Sequence, residues 1–149
     1  MKLIFVCTGN TCRSPLAEYL MKDYCKKNNL DIEVESRGLA CSNDRPISEN
    51  SKMALAEIGI DASEHKSKSF TIKDLFEADL IVTMTREHKY MLNYHFNKND
   101  DEKVKSFNEL TGLGEVHDPF ACDLDVYRRC RNQLLEGIKK IADYLENMK

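Results

Sequence analysis

The sequence predicts an α/β fold: a three-layer sandwich with a four-stranded parallel sheet and helices on both faces. Three observations lead there. Short runs rich in strand formers alternate with stretches of helical periodicity along the whole chain. The first run, Lys2 to Val6, is nearly all apolar, as expected of a strand covered on both faces. A loop of about seven residues then carries the chain from that strand straight into a helix, the connection that right-handed crossovers require. At 149 residues the chain is expected to form one domain, 1–149, large enough to bury a core without covalent staples.

The elements follow in order. After the first strand, Ser14-Pro15 reads as a helix cap followed by proline at the first helical position. Leu16, Ala17, Leu20, Met21 and Tyr24 then recur at helical spacing. Ile32 to Ser36 alternates like a strand and ends at Arg37-Gly38. Beyond a loop containing Pro46, a helix is expected around Ser48 to Ile58, capped by Ser48. Met53, Ala54, Leu55 and Ile58 should face inward and Gly59 should stop it. A short helical stretch, Ile72 to Glu77, precedes a third strand at Asp79 to Met84. A helix from Arg86 to Tyr94, a fourth strand at Lys103 to Phe107, and a long last helix complete the pattern. The last helix is marked by Val126, Cys130, Leu134, Ile138, Ile141 and Leu145, with Asp125 as its expected cap. No internal repeat or low-complexity tract interrupts the chain.

Composition narrows the function classes. Charged residues make up 32% and the net charge is −3, with no dense Lys/Arg stripe, which argues against a nucleic-acid or anionic-membrane surface. No apolar run approaches the roughly 20 residues that span a bilayer. The few apolar residues before the first loop are too short for a signal-peptide core. A cytoplasmic location is therefore expected. The cysteines are Cys7, Cys12, Cys25, Cys41, Cys122 and Cys130, with no C-x-x-C pair and no zinc spacing to His65, His88, His95 or His117. Neither a metal nor a cofactor is expected, and Cys25 and Cys130 read as small core residues.

The chemistry is concentrated in "VCTGNTCRSP", Val6 to Pro15. A loop entering a helix start turns several backbone N–H groups toward one point, where the helix dipole adds positive charge. Gly9 and Asn10 suit the left-handed angles of such a curl. Arg13 supplies a planar, permanently charged fork for two phosphate oxygens. Cys7 lies at a strand C-terminal end, where ligands bind in such folds. These dipoles, Arg13 and a hydrogen bond from Ser14 should favour an exposed thiolate of lowered pKa. A phosphocysteine is the natural intermediate. Thr8, Gly9, Asn10, Thr11, Cys12, Arg13 and Ser14 are the candidate phosphate-binding residues. Asp118, in "HDPFACD" and stiffened by Pro119, is the candidate general acid for the leaving group. Cys12 shares the loop with Cys7, so mild peroxide should link the two reversibly.

Cys7-x5-Arg13-Ser14 near the start, with Asp118-Pro119 late, resembles the low-molecular-weight protein tyrosine phosphatases over the full chain. The resemblance implies Cys7 as nucleophile, Arg13 as phosphate binder, Asp118 as acid and then base, and no metal. It also implies that Asn10 fixes the loop, that Ser14 stabilises the thiolate and that His65 buttresses Asn10. Three features depart from the tyrosine-specific pattern. Thr11 replaces a bulky apolar residue, Phe120-Ala121 replaces two tyrosines, and Thr85 stands where an aspartate is common. With "DPF…D-x-D-x-Y" these resemble the protein arginine phosphatase branch, which acts on phosphoarginine in proteins. Thr11 offers a hydroxyl, Phe120 an aromatic face and Asp118 an acceptor to a guanidinium. A tyrosine phosphatase is the alternative. An arsenate reductase would need a cysteine relay, yet no cysteine lies between Cys41 and Cys122. A non-catalytic phosphate reader would need neither Cys7 nor Asp118.

Overall fold

The computed structural model describes residues 1–97 and 101–149. Four parallel strands form one sheet in the order β2-β1-β3-β4: β1 Lys2–Cys7, β2 Glu33–Gly38, β3 Leu80–Thr83 and β4 Val104–Ser106. Among the described residues six helices accompany them: α1 Arg13–Lys27, α2 Glu49–Ala56, α3 Ile72–Glu77, α4 Arg86–His95, α5 Phe107–Thr111 and α6 Leu124–Asn147. The expected three-layer α/β sandwich is what the chain forms. No helix among the described residues is long and apolar enough to cross a membrane.

The alternation within β1 explains the two covered faces. Leu3, Phe5 and Cys7 join the core built with Leu16 and Leu20 of α1, Leu55 of α2, Phe107 of α5 and Leu134 and Ile138 of α6. Ile4 and Val6 point the other way, toward Leu75 of α3 and Leu92 of α4. β2 alternates buried with more open positions, as an edge strand should. From β1 the chain winds outward to β2, then crosses over β1 to β3, so the strand order reverses beside β1. The C-terminal end of β1 is thus the switch point at which open sheets of this class hold ligands.

Several local expectations need correction. Helix α1 begins at Arg13, so Ser14 is not its cap; Cys12 occupies that position and makes no side-chain cap bond. The first-turn N–H groups are left facing the loop, and the Ser14 hydroxyl is used elsewhere. In α2, Ala54 and Leu55 are buried, but Met53 and Ile58 are exposed, because the helix ends at Ala56 and packs on a narrow face. Helix α6 is capped by Asp123, which accepts from the Val126 N–H; Asp125 lies in the first turn, paired with Arg128. Helix α5 was not expected at all. A Ser106/Glu109 capping box starts it directly from β4.

One glycine sets the packing of α5 on α6. A Cβ at Gly137 would lie 2.5 Å from two ring carbons of the fully buried Phe107 and 2.9 Å from Thr111 Cγ2. Gly137→Ala would gain about 1 kcal/mol in an open helix. Here overpacking should dominate and destabilise the fold by ~1–3 kcal/mol. A lowered urea midpoint with unchanged slope is the expected result; an unchanged or raised midpoint would show that α5 yields freely.

Candidate active site

The loop after β1 curls over the end of the sheet because three local features allow it. Asn10, fully buried, takes the left-handed conformation at φ 56°. Gly38, beside Cys7 in β2, lets the loop approach: a Cβ there would lie 2.8 Å from both the Thr8 carbonyl oxygen and Cys41 Sγ. The Ser48 N–H donates to the Thr11 carbonyl at 2.9 Å, tying the loop to the start of α2.

The Asn10 side chain then organises the interior. Its Nδ2 donates to Ser14 Oγ at 2.8 Å and to Ser36 Oγ at 2.9 Å, while its Oδ1 accepts from the Lys68 N–H at 2.9 Å. His65 is buried, and its Nε2 donates to the Asn10 carbonyl at 2.8 Å. Behind them stands Glu18, also buried, which accepts from Ser36 Oγ at 2.5 Å and from Lys22 Nζ at 2.6 Å. Because Ser14 Oγ accepts from Asn10, its own proton is left for Cys7 Sγ, 2.9 Å away. The Asn10 N–H also approaches that sulfur, at 3.3 Å.

Cys7 departs from expectation in one respect. It is 2% exposed, and burial pushes the thiol above its ordinary value. The Ser14 hydroxyl, Arg13 and the Asn10 N–H pull the other way, the groups named from the sequence, but burial outweighs them. Cys12 is buried as well, with its sulfur 3.5 Å from the Tyr127 hydroxyl, and all six cysteines are free thiols. A Cys7–Cys12 link under peroxide would therefore start from two covered sulfurs rather than one exposed thiolate. Burial, then Cys12, holds the Tyr127 hydroxyl protonated well beyond the usual tyrosine range.

Arg13 is nearly fully buried; its Nη1 donates to the Val116 carbonyl at 3.1 Å, and its Nη2 lies 3.8 Å from Asp118 Oδ2. These contacts fix the guanidinium at the loop. Asp118 keeps more than half of its side chain open to solvent. Its turn is closed by the Phe120 N–H donating to Oδ1 at 3.0 Å and the Cys122 N–H donating to the Pro119 carbonyl at 2.9 Å. Ala121 is left-handed at φ 61°, which lets so short a turn close. Phe120, whose backbone closes the turn on the Asp118 carboxylate, is 73% exposed.

Hydrogen bonds thus join Cys7, Asn10 and Ser14, and Arg13 beside them brings Asp118 to the same loop. Thr8 and Thr11 lie on that loop as well, with Thr11 Oγ1 3.8 Å from Cys12 Sγ. Sequence reasoning missed Glu18, Ser36 and His88: Ser36 of β2 and His88 of α4 bond loop residues directly, and Glu18 of α1 supports Ser36 from behind. The only local signal was for Glu18: it stands four residues after Ser14, on the buried side of α1.

Known proteins are similar to this chain along nearly its whole length. The family model described as low molecular weight phosphotyrosine protein phosphatase matches residues 2–149. The chain is 36% identical to the protein-arginine-phosphatase of Bacillus subtilis (strain 168), covering 98% of this chain and 97% of that one. It is 38% identical to the low molecular weight protein-tyrosine-phosphatase PtpB of Staphylococcus haemolyticus, covering 95% and 97%. A solved structure of YwlE arginine phosphatase, a C7S mutant with a phosphorylated active site serine, superposes with a TM-score of 0.92 at 36% identity, covering 98% of this chain and 96% of that one. With a family model matched almost end to end, a shared fold and a cysteine-arginine loop at the switch point, this chain belongs to the low molecular weight phosphotyrosine protein phosphatase family.

Proposed function

We propose that the chain, as a single domain over residues 1–149, is a protein arginine phosphatase working through a phosphocysteine on Cys7. The observation that carries the substrate choice is the loop wall. It presents Thr11 in place of a bulky apolar side chain, with Phe120 exposed at the rim. A phosphotyrosine ring gains from an apolar wall, whereas a guanidinium gains from hydroxyls, a carboxylate and an aromatic face. The B. subtilis relative's name supports this reading, and PtpB's name supports the tyrosine alternative. Phosphorylated proteins are the partners implied, in the cytoplasm, with no metal or cofactor required.

The steps follow from the geometry. The loop N–H groups and the Arg13 fork receive the phosphoryl oxygens. The buried Cys7 proton passes to a phosphoryl oxygen as the substrate seats, which avoids placing a thiolate against a dianion. Sulfur, held by Ser14, attacks phosphorus in line, and the P–N bond breaks as Asp118 protonates the departing nitrogen. Asp118 then takes a proton from water, which attacks phosphorus and frees Cys7.

Thr11→Ile tests the substrate choice. The added apolar surface favours a tyrosine ring, and the lost hydroxyl leaves a charged guanidinium one partner short. Such a loss typically costs ~1.5–3 kcal/mol, roughly ten- to more than hundredfold in relative rate. The ratio of kcat/KM for phosphoarginine and phosphotyrosine peptides should therefore swing toward tyrosine. A wild type that already prefers phosphotyrosine, or a ratio that does not move, would leave the tyrosine phosphatase reading in its place.

A further inference from the structure

His88 stands at the wall of the site with no part in the steps above. It lies in the first turns of α4, is 4% exposed, and brings its ring Nε2 to 2.8 Å from Thr8 Oγ1. Its other nitrogen, Nδ1, is buried and has no hydrogen-bond partner among the described residues. Arg13 and Asp118 both lie within electrostatic reach of the ring.

The tautomer follows from that imbalance. A neutral imidazole carries one N–H and one bare nitrogen. Placing the proton on Nδ1 would bury a donor with no acceptor, the rarer kind of orphan, whereas an unfilled lone pair is better tolerated. The proton therefore belongs on Nε2, which donates to Thr8 Oγ1. The hydroxyl, having accepted from His88, must direct its own proton elsewhere. Thr8 directly follows the nucleophile and its side chain is exposed on the loop. Burial, then Arg13, lowers the His88 pKa to about 4, so near pH 7 the ring is neutral and does not repel Arg13.

We propose that His88 is a positioning residue, whose Nε2–H bond to Thr8 Oγ1 turns the Thr8 hydroxyl proton into the mouth of the loop as one more donor to a phosphoryl oxygen. The inference rests on the phosphatase reading, but it is indifferent to whether arginine or tyrosine carries the phosphate. The donor matters most in the transition state, where charge is spread over the equatorial oxygens.

The test combines kinetics with ring 15N spectra of the whole protein. Thr8→Val and His88→Leu should each lower kcat about tenfold, the value of one such bond, on a phosphoarginine peptide and on an activated aryl phosphate alike. KM should change little. The double variant should be no slower than the slower single one, because both remove the same donor. His88→Gln, whose amide N–H can reach the place of Nε2, should restore most of the rate. The His88 ring should show the neutral Nε2–H form at pH 7. Additive losses, an unimpaired Thr8→Val, or an Nδ1–H ring would overturn the proposal. Should His88→Leu fail to fold, Thr8→Val, His88→Gln and the spectrum still decide. A wild type that turned over neither substrate would sink the phosphatase reading instead, with the tautomer still decided by the spectrum.

Discussion

Cys7→Ser should end multiple turnover, with a loss of roughly 10⁴–10⁶-fold, on the scale seen when an enzyme's nucleophile is removed. The substitution leaves the phosphate site standing: Arg13 keeps its bond to the Val116 carbonyl, and Asn10 keeps its bonds to Ser14 and Ser36. Inorganic phosphate should therefore still bind. What changes is the attacking atom. A serine hydroxyl is a far weaker nucleophile than a thiol at neutral pH, and any phosphoserine formed has a poorer leaving group than phosphocysteine. Intact-protein mass after long incubation with substrate should show at most one phosphoryl group, at position 7, and no sustained release. A phosphorylated active site serine in the related C7S structure is consistent with that trap. Sustained turnover by Cys7→Ser would falsify covalent catalysis at this site.

Which features were legible from sequence depends on how local their causes are. β1 and β3 could be read because a strand covered on both faces must be apolar nearly throughout, and Leu3 to Val6 and Leu80 to Val82 are fully buried. Helix α6 could be read because Leu134, Ile138, Ile141 and Leu145 repeat on one face. The five-residue α5 is too short to show a period, and only its Ser106–Glu109 box marks it. Ser14 shows the limit of local rules. Ser-Pro is good cap chemistry, yet the helix starts two residues earlier and the hydroxyl serves Cys7 instead. Glu18 and His88 are charged or titratable residues buried against partners from distant elements, Ser36 in one case and Thr8 in the other. No spacing rule joins residues 80 apart. The raised Cys7 pKa has the same origin: the groups that favour the thiolate are local and visible, whereas the burial that opposes them is the sum of the whole fold.

Asp118 carries the second large effect, and its turn allows two roles to be separated. Asp118→Ala removes both the carboxyl proton and the acceptor that holds the Phe120 N–H. Asp118→Asn keeps an oxygen for that N–H and removes only the acid and its charge beside Arg13. On a phosphoarginine peptide, whose guanidine leaves poorly without a proton, both variants should lose ~10²–10⁴-fold in kcat, the usual worth of a positioned acid. On an activated aryl phosphate, which departs without help, the first step should suffer much less. The loss that remains there belongs to the second step, in which the same carboxylate accepts a proton from water. A burst of aryl alcohol followed by slow turnover should therefore appear in both variants and be absent or small in wild type. If instead only Asp118→Ala were impaired, the residue would matter for shaping the 118–122 turn and not for moving protons. If both substrates lost equally and no burst appeared, the acid would have to be sought elsewhere.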